Sequence, residues 1–208
     1  VISNLDIIKG NTHTDGGGIF NSGQLIIANS VFSENKAEGN GGGIFNDKGV
    51  LDVTDSNFWG NATSTFDGYG NGLYSGGGIF NDSGTITIKN STFSNNQAVA
   101  LFRSSAGGIF NNMGSLNIIN STFSGNRAVK GGGVFNTPGG TLTIFNSTFS
   151  GNTANGGGSD FCGGGIVNQG ALDIANSIFS DNKSDWDMGG GICNSGTLTI
   201  TDTSFFRN

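Results

Sequence analysis

The sequence predicts an all-β fold: a right-handed parallel β-helix, or solenoid, of about seven three-strand coils with Phe, Leu/Ile and Asn ladders inside. Three observations point there. The string GGGIFN, or a close variant, begins at Gly16, Gly41, Gly76, Ala106, Gly131, Gly163 and Gly189, in steps of 25, 35, 30, 25, 32 and 26 residues. After each start the same order returns: an apolar residue, an aromatic, Asn, a Gly turn, an L-x-I segment, Asn-Ser, then F-x-x-N. Of the 39 Gly and 17 Phe, 27 and 12 stand at those fixed offsets, with only one Pro in the 208 residues. No single copy can bury its own apolar face, so neighbours must stack.

Each element follows from one copy. In Thr85–Asn90, Ile86 and Ile88 alternate with Thr87 and Lys89, the period of a half-buried strand. Leu25, Leu51, Ile86, Leu116, Leu142, Leu172 and Leu198 form one predicted internal ladder, and Ile27 through Ile200 another. The Gly before this strand (Gly84 and its equivalents) marks a turn expected to need a positive φ. The next strand carries Phe32, Phe58, Phe93, Phe123, Phe149, Phe179 and Phe205, predicted to stack as one aromatic column. Two Asn columns complete the pattern, Asn21 through Asn194 and Asn35 through Asn208. A primary amide has two donors and two acceptor sites, so in-register amides about 4.8 Å apart can bond each other and cap turn backbone. β-branched and aromatic residues disfavour helix, and parallel crossovers favour right-handed winding.

Composition bounds the function. Charged residues are 12% and the net charge is −6, with nine scattered Lys and Arg, so no basic footprint for nucleic acid exists. No apolar run is long enough to span a bilayer. Residues 1–208 form one expected domain, starting and stopping in mid-pattern, which makes it an expected excerpt of a longer chain with neighbouring coils or end-to-end association at its ends.

The paired tetrapeptides GG[GA][ILV] and F-x-x-N carry a resemblance. GGGI at Gly16–Ile19 pairs with FSEN at Phe32–Asn35, GGGI at Gly76–Ile79 with FSNN at Phe93–Asn96, and AGGI at Ala106–Ile109 with FSGN at Phe123–Asn126. In this the chain resembles the polymorphic outer membrane protein repeats of chlamydial surface proteins, over nearly its whole length. The resemblance implies a secreted or cell-surface bacterial β-helix, an autotransporter-passenger-like adhesin; a non-enzymatic role is expected from the residues themselves, which show no Asp ladder paired with a basic residue. Its expected partner is a host or matrix protein or a polysaccharide surface.

Several residue groups could carry binding. Length varies almost wholly after F-x-x-N, giving insertions at 63–75, 99–105, 155–162 and 184–188 on one edge. They bear Phe66, Tyr69, Tyr74, Phe102, Phe161 and Trp186, which form either a recognition edge or rings folded over the rod. A Thr-x-Ser row (Thr92 and Ser94, Thr122 and Ser124, Thr148 and Ser150) repeats on the outward side of the Phe strand, interrupted by Trp59 and Phe206. A flat hydroxyl grid of this kind resembles ice-binding faces, the alternative function; ordinary strand-surface chemistry also accounts for it. The aromatic after GGGI (Phe20, Phe45, Phe80, Phe110 and Phe135, then Val167 and Cys193) is either an outward stripe or, the preferred reading, a ring tucked against backbone at a corner.

Catalytic signals are weak. His13 is the lone His and an expected surface residue, and Asp181, Asp185 and Asp187 are expected to be solvated loop charges. A polysaccharide lyase, which would need clustered carboxylates and a basic residue on one face, is the second alternative. No catalytic residue, metal or cofactor is assigned. Cys162 and Cys193 stand about five residues out of step, roughly 16 Å along a strand, so two free thiols are expected unless the 155–162 loop folds back. The sequons at Asn90, Asn120 and Asn146 fall in a corner column and read as ladder geometry.

Overall fold

A computed structural model of the chain describes residues 1–64, 75–99, 104–156, 162–185 and 188–208. Among these, every regular element is a strand, and every strand pair is parallel and joins equivalent positions of successive coils. Two sheets have eight strands and two have seven. The chain is a parallel β-solenoid.

One coil shows the plan. Ile79–Asp82 carries the glycine-motif residues, Thr85–Lys89 the Leu/Ile pair, Thr92–Ser94 the phenylalanine, and Gln97–Val99 follows the second Asn. The three-strand expectation is thus corrected to four. The extra strand is only two or three residues long, Lys36–Ala37 or Ala62–Ser64 for example, too short for alternation to register in sequence.

Registers are direct. Phe58 pairs with Phe93 and Phe93 with Phe123, while Ile86 pairs with Leu51 and Leu116. The rings of Phe32, Phe58, Phe93, Phe123, Phe149 and Phe179 are fully buried. Phe93 and Phe123 lie 4.8 Å apart, inclined by 3°, the separation that the parallel-strand repeat imposes. With the Leu/Ile pairs and the glycine-motif Ile they form one continuous core.

Three polar ladders bind the corners. Asn96 Oδ1 accepts from both the backbone N–H and the side-chain amide of Asn61, at 3.0 and 2.9 Å. Its own amide donates to Phe58 O and Asn126 Oδ1 at 2.9 and 3.0 Å, so the buried group is saturated. Asn81 donates to Gly84 O and to Asn111 Oδ1 at 3.0 and 2.8 Å in the second ladder. The third is a serine ladder with no counterpart in the sequence reading. Ser91 Oγ donates to Lys89 O at 2.7 Å while accepting the backbone N–H of Ser56 at 3.1 Å.

Gly84 is required for space. Its φ is not positive; the preceding Ser83 takes φ 55° instead. A Cβ on Gly84 would meet the Asn46 amide at 2.3 Å and Gly49 O at 2.6 Å. The turn is tight because the Asn ladder runs through it.

Candidate recognition surface

The corner Asn residues set the frame of the outer surface. Asn29, Asp55, Asn90, Asn120, Asn146 and Asn176 all have φ between 48° and 50°, the left-handed conformation that Asn and Asp tolerate best after Gly. That explains why the sequons recur there. Asn120 donates to Asn90 Oδ1 at 3.3 Å and Asn146 to Asn120 Oδ1 at 2.9 Å, an exposed amide ladder along the rod.

Beside this corner lies the hydroxyl grid. Thr92 pairs in register with Thr122, and Thr122 with Thr148; Ser94, Ser124 and Ser150 follow two residues on. The structure therefore brings all six residues together on one sheet, outward of the buried Phe ring and half-exposed. With Asn90, Asn120 and Asn146 they make a three-by-three array from the thrice-repeated NSTFS. Towards the N-terminus the array meets Asn57 and Trp59, which pair with Thr92 and Ser94. On the other side it meets Ile178 and Ser180.

The insertions share one edge. Each leaves after the short fourth strand and returns just before the glycine motif. The returning stems of the first two are aligned, because Ser75 bridges Ser105, which in turn bridges Lys130 of the next coil. The aromatic residues expected on this edge, Phe66, Tyr69, Tyr74, Phe102, Phe161 and Trp186, lie outside the described residues, as does Asp187.

Next to that edge the motif aromatics form an outward stack. The corner reading for Phe20 and its equivalents is corrected: they sit in mid-strand, with Phe45 between Ile44 and Asn46. Phe80 and Phe110 lie 4.9 Å apart. Phe45, Phe80 and Phe135 are nevertheless buried, whereas Phe20 is 54% exposed.

At the far end of this stack the two thiols are bonded. Cys162 and Cys193 form a disulfide with Cα atoms 5.8 Å apart, which corrects the free-thiol expectation. The five residues counted as extended strand are a turn: Gly163 has φ +72°, and a Cβ there would lie 2.3 Å from Ile166 O. The turn folds Cys162 back against Val167, whose register partner in the next coil is Cys193.

Among the described residues, no group of three or more His, Cys, Asp or Glu is placed to hold a metal ion. Asp181 is held by Arg207 through bonds of 2.7 and 2.9 Å. That bond to the guanidinium lowers the Asp181 pKa against an opposing desolvation, with lesser help from the charges of Arg207 and Lys183. His13 lies at the exposed surface, 2.8 Å from Glu38.

Two segments, residues 29–47 and 120–137, match the model of the Chlamydia polymorphic membrane protein (Chlamydia_PMP) repeat. Both run from an F-x-x-N to the following glycine motif across a short connection, so the matches fall on coils without a long insertion. Comparison with curated proteins and with solved structures gives no match. The chain carries repeats of the polymorphic membrane protein type, folded as a β-solenoid.

Proposed function

We propose that this chain is a non-enzymatic, surface-displayed bacterial module that recognises a cell, matrix or polysaccharide partner through the edge from which its insertions leave. What carries this reading is the contrast between an invariant frame and one variable corner. The ladders repeat coil after coil, while the connection after F-x-x-N changes length at the same place in the repeat. Insertions on one face of a solenoid are its usual binding surface, since they alter recognition without touching the stacked core. The repeat matches support surface display, and a disulfide suits export to an oxidising compartment.

The test replaces residues 63–75 with the Ala37–Asn40 connection, which begins in register because Thr63 pairs with Ala37. Binding to cells, immobilised matrix proteins and a glycan array should fall, with an unchanged circular dichroism spectrum. Undiminished binding in that variant and in the equivalent 155–162 replacement would reject the edge.

One observation favours a second reading, ice binding: the strict register of Thr92, Thr122 and Thr148, with Ser94, Ser124 and Ser150 beside them. Rows about 4.8 Å apart and about 6.7 Å wide present a flat uncharged lattice. Thermal hysteresis that disappears on Thr122→Tyr would support it; its absence in the unmodified chain would end it.

A further inference from the structure

Trp59 is out of keeping with its place. Its column on the Phe sheet is otherwise Ser33, Ser94, Ser124, Ser150 and Ser180 through the central coils. It points away from the core, because Phe58 beside it is fully buried while Trp59 is 42% exposed. An indole there gains little from folding. Its N–H has no acceptor among the described residues.

The groups beside it are organised. Ser94 is its register partner, and Asn57 and Thr92 form the next column towards the corner. Asp55 and Asn90 complete the patch, locked together by the bond from the Asn90 amide to Asp55 Oδ1 at 3.1 Å. Asp55, Asn57, Asn90, Thr92 and Ser94 line one shallow groove, and Trp59 stands one strand away from Ser94 in register. An aromatic face flanked by an amide, a carboxylate and hydroxyls on rigid strands is the combination that binds a sugar ring: the ring's C–H face stacks on the indole while its hydroxyls bond the polar groups.

We infer that this groove is a binding site for a neutral, linear hexopyranose polysaccharide, with one residue stacked on Trp59. Neutrality follows from the lining, which offers one carboxylate and no cation, so a uronate or sulfate would find no counter-charge. Linearity follows from the repetition of three of the lining residues along the rod. Asn90, Thr92 and Ser94 recur as Asn120, Thr122 and Ser124 and then as Asn146, Thr148 and Ser150. The coil rise of about 4.8 Å is close to the length of one pyranose unit, so successive sugars of a chain parallel to the rod meet the same donors and acceptors. The inference rests on the reading that the chain recognises a partner, and assigns that recognition a second site.

The test is affinity electrophoresis of the whole chain in gels containing neutral glucan, mannan or galactan, with polygalacturonate and heparin as acidic counterparts. Trp59→Ser installs the residue that neighbouring coils already carry and leaves the fold intact. Retardation by at least one neutral polymer, weakened about tenfold in Trp59→Ser and largely restored in Trp59→Phe, is the expected result. Quenching of indole fluorescence by the same polymer in a Trp186→Phe background would place the ligand on Trp59. No retardation by any neutral polymer, equal retardation of Trp59→Ser, or preference for the acidic polymers would overturn the inference. Failure of the edge is distinguishable: if the 63–75 replacement abolishes cell binding while Trp59→Ser does not, the edge reading stands and this one falls. If the replacement changes nothing while Trp59→Ser loses the glycan, the reverse holds.

Discussion

Phe32, Phe58, Phe93, Phe123, Phe149 and Phe179 stack inside the solenoid with centroids 4.6 to 4.9 Å apart, whereas Phe20, Phe45, Phe80, Phe110 and Phe135 stack outside it at 4.9 to 5.2 Å. Both columns are set by the same strand repeat. They differ in what surrounds each ring. The inner rings are enclosed by Leu, Ile and the third glycine of the motif, where even a Cβ on Gly78 would stand 3.1 Å from Phe93 Cδ1. The outer rings stack on each other along the outward side of their sheet, and Phe110 and Phe135 pack with Ala106, Cys162 and Val167. The inner position is Phe in all seven F-x-x-N repeats, while the outer one gives way to Val167 and then Cys193. Enclosure on all sides fixes residue identity; a ring packed on one sheet face can be exchanged for another apolar or bonded group.

The strongest way to break this contrast is to truncate one ring of each kind in the same coil. Phe93→Ala should lower unfolding free energy by about 3–5 kcal/mol, the cost of a large cavity in a close-packed core. Phe80→Ala, at 9% exposure, should cost about 2 kcal/mol, because the gap opens towards the surface and can relax. Urea titrations followed by circular dichroism give both values. Equal losses would mean that the outer stack is as much a core as the inner one.

The next test concerns the point where the outer column abandons aromatic rings. The Cys162–Cys193 bond closes a loop with a sequence separation of 31. Replacing both cysteines by Ser should therefore cost about 2–4 kcal/mol, mainly by loosening the unfolded chain. The loss should match that seen when dithiothreitol is added to the unmodified protein. A double variant as stable as the parent would show that the stem is already held by the tri-glycine turn alone.

These columns also show what the residues disclosed in advance and what they did not. The ladders were legible because a solenoid writes the same residue at the same offset: Phe93 over Phe123 and Asn96 over Asn126 follow from F-x-x-N alone. The fourth strand was not, since two residues such as Lys36 and Ala37 carry no period. The disulfide was missed because distance along the chain was converted with a strand's rise, although Gly163 makes that stretch a turn. Of the candidate sites, the Thr92–Thr122–Thr148 row was readable as a row. The left-handed backbone that places Asn90, Asn120 and Asn146 at its side was not, and Trp59 read only as an interruption of the pattern.

A smaller effect of opposite sign sits on the inward side of the short sheet. Ala37, Ala98, Ala128 and Ala154 occupy that column, and Thr63 pairs with two of them. Its Oγ1 is buried with no hydrogen-bond partner among the described residues. Thr63→Val keeps the shape and removes the stranded hydroxyl, so the variant should gain about 1 kcal/mol. A loss in the same urea titration would mean that the hydroxyl is bonded in solution.

The smallest effect belongs to an outer column with no enclosure at all. Lys9, Glu34, Gly60, Asn95, Gly125, Gly151, Asp181 and Arg207 all hold a positive φ at the corner after the Phe strand. Their side chains stand in water, so a charge pair here is a contact between coils without burial. Lys9 and Glu34 approach to 3.9 Å, and Arg207 grips Asp181 through two bonds. The guanidinium lowers the Asp181 pKa below its ordinary value. A lowered carboxylate pKa adds stability above the ordinary value of the unfolded chain, and that contribution disappears as pH falls through the lowered folded value. Arg207→Gln should return the Asp181 titration, followed by carboxyl NMR, to the ordinary aspartate range, while the urea midpoint at neutral pH scarcely moves because an exposed pair is screened by solvent and salt. A midpoint shift as large as that of Phe80→Ala would show that exposed rungs hold the coils together as firmly as ring stacking does.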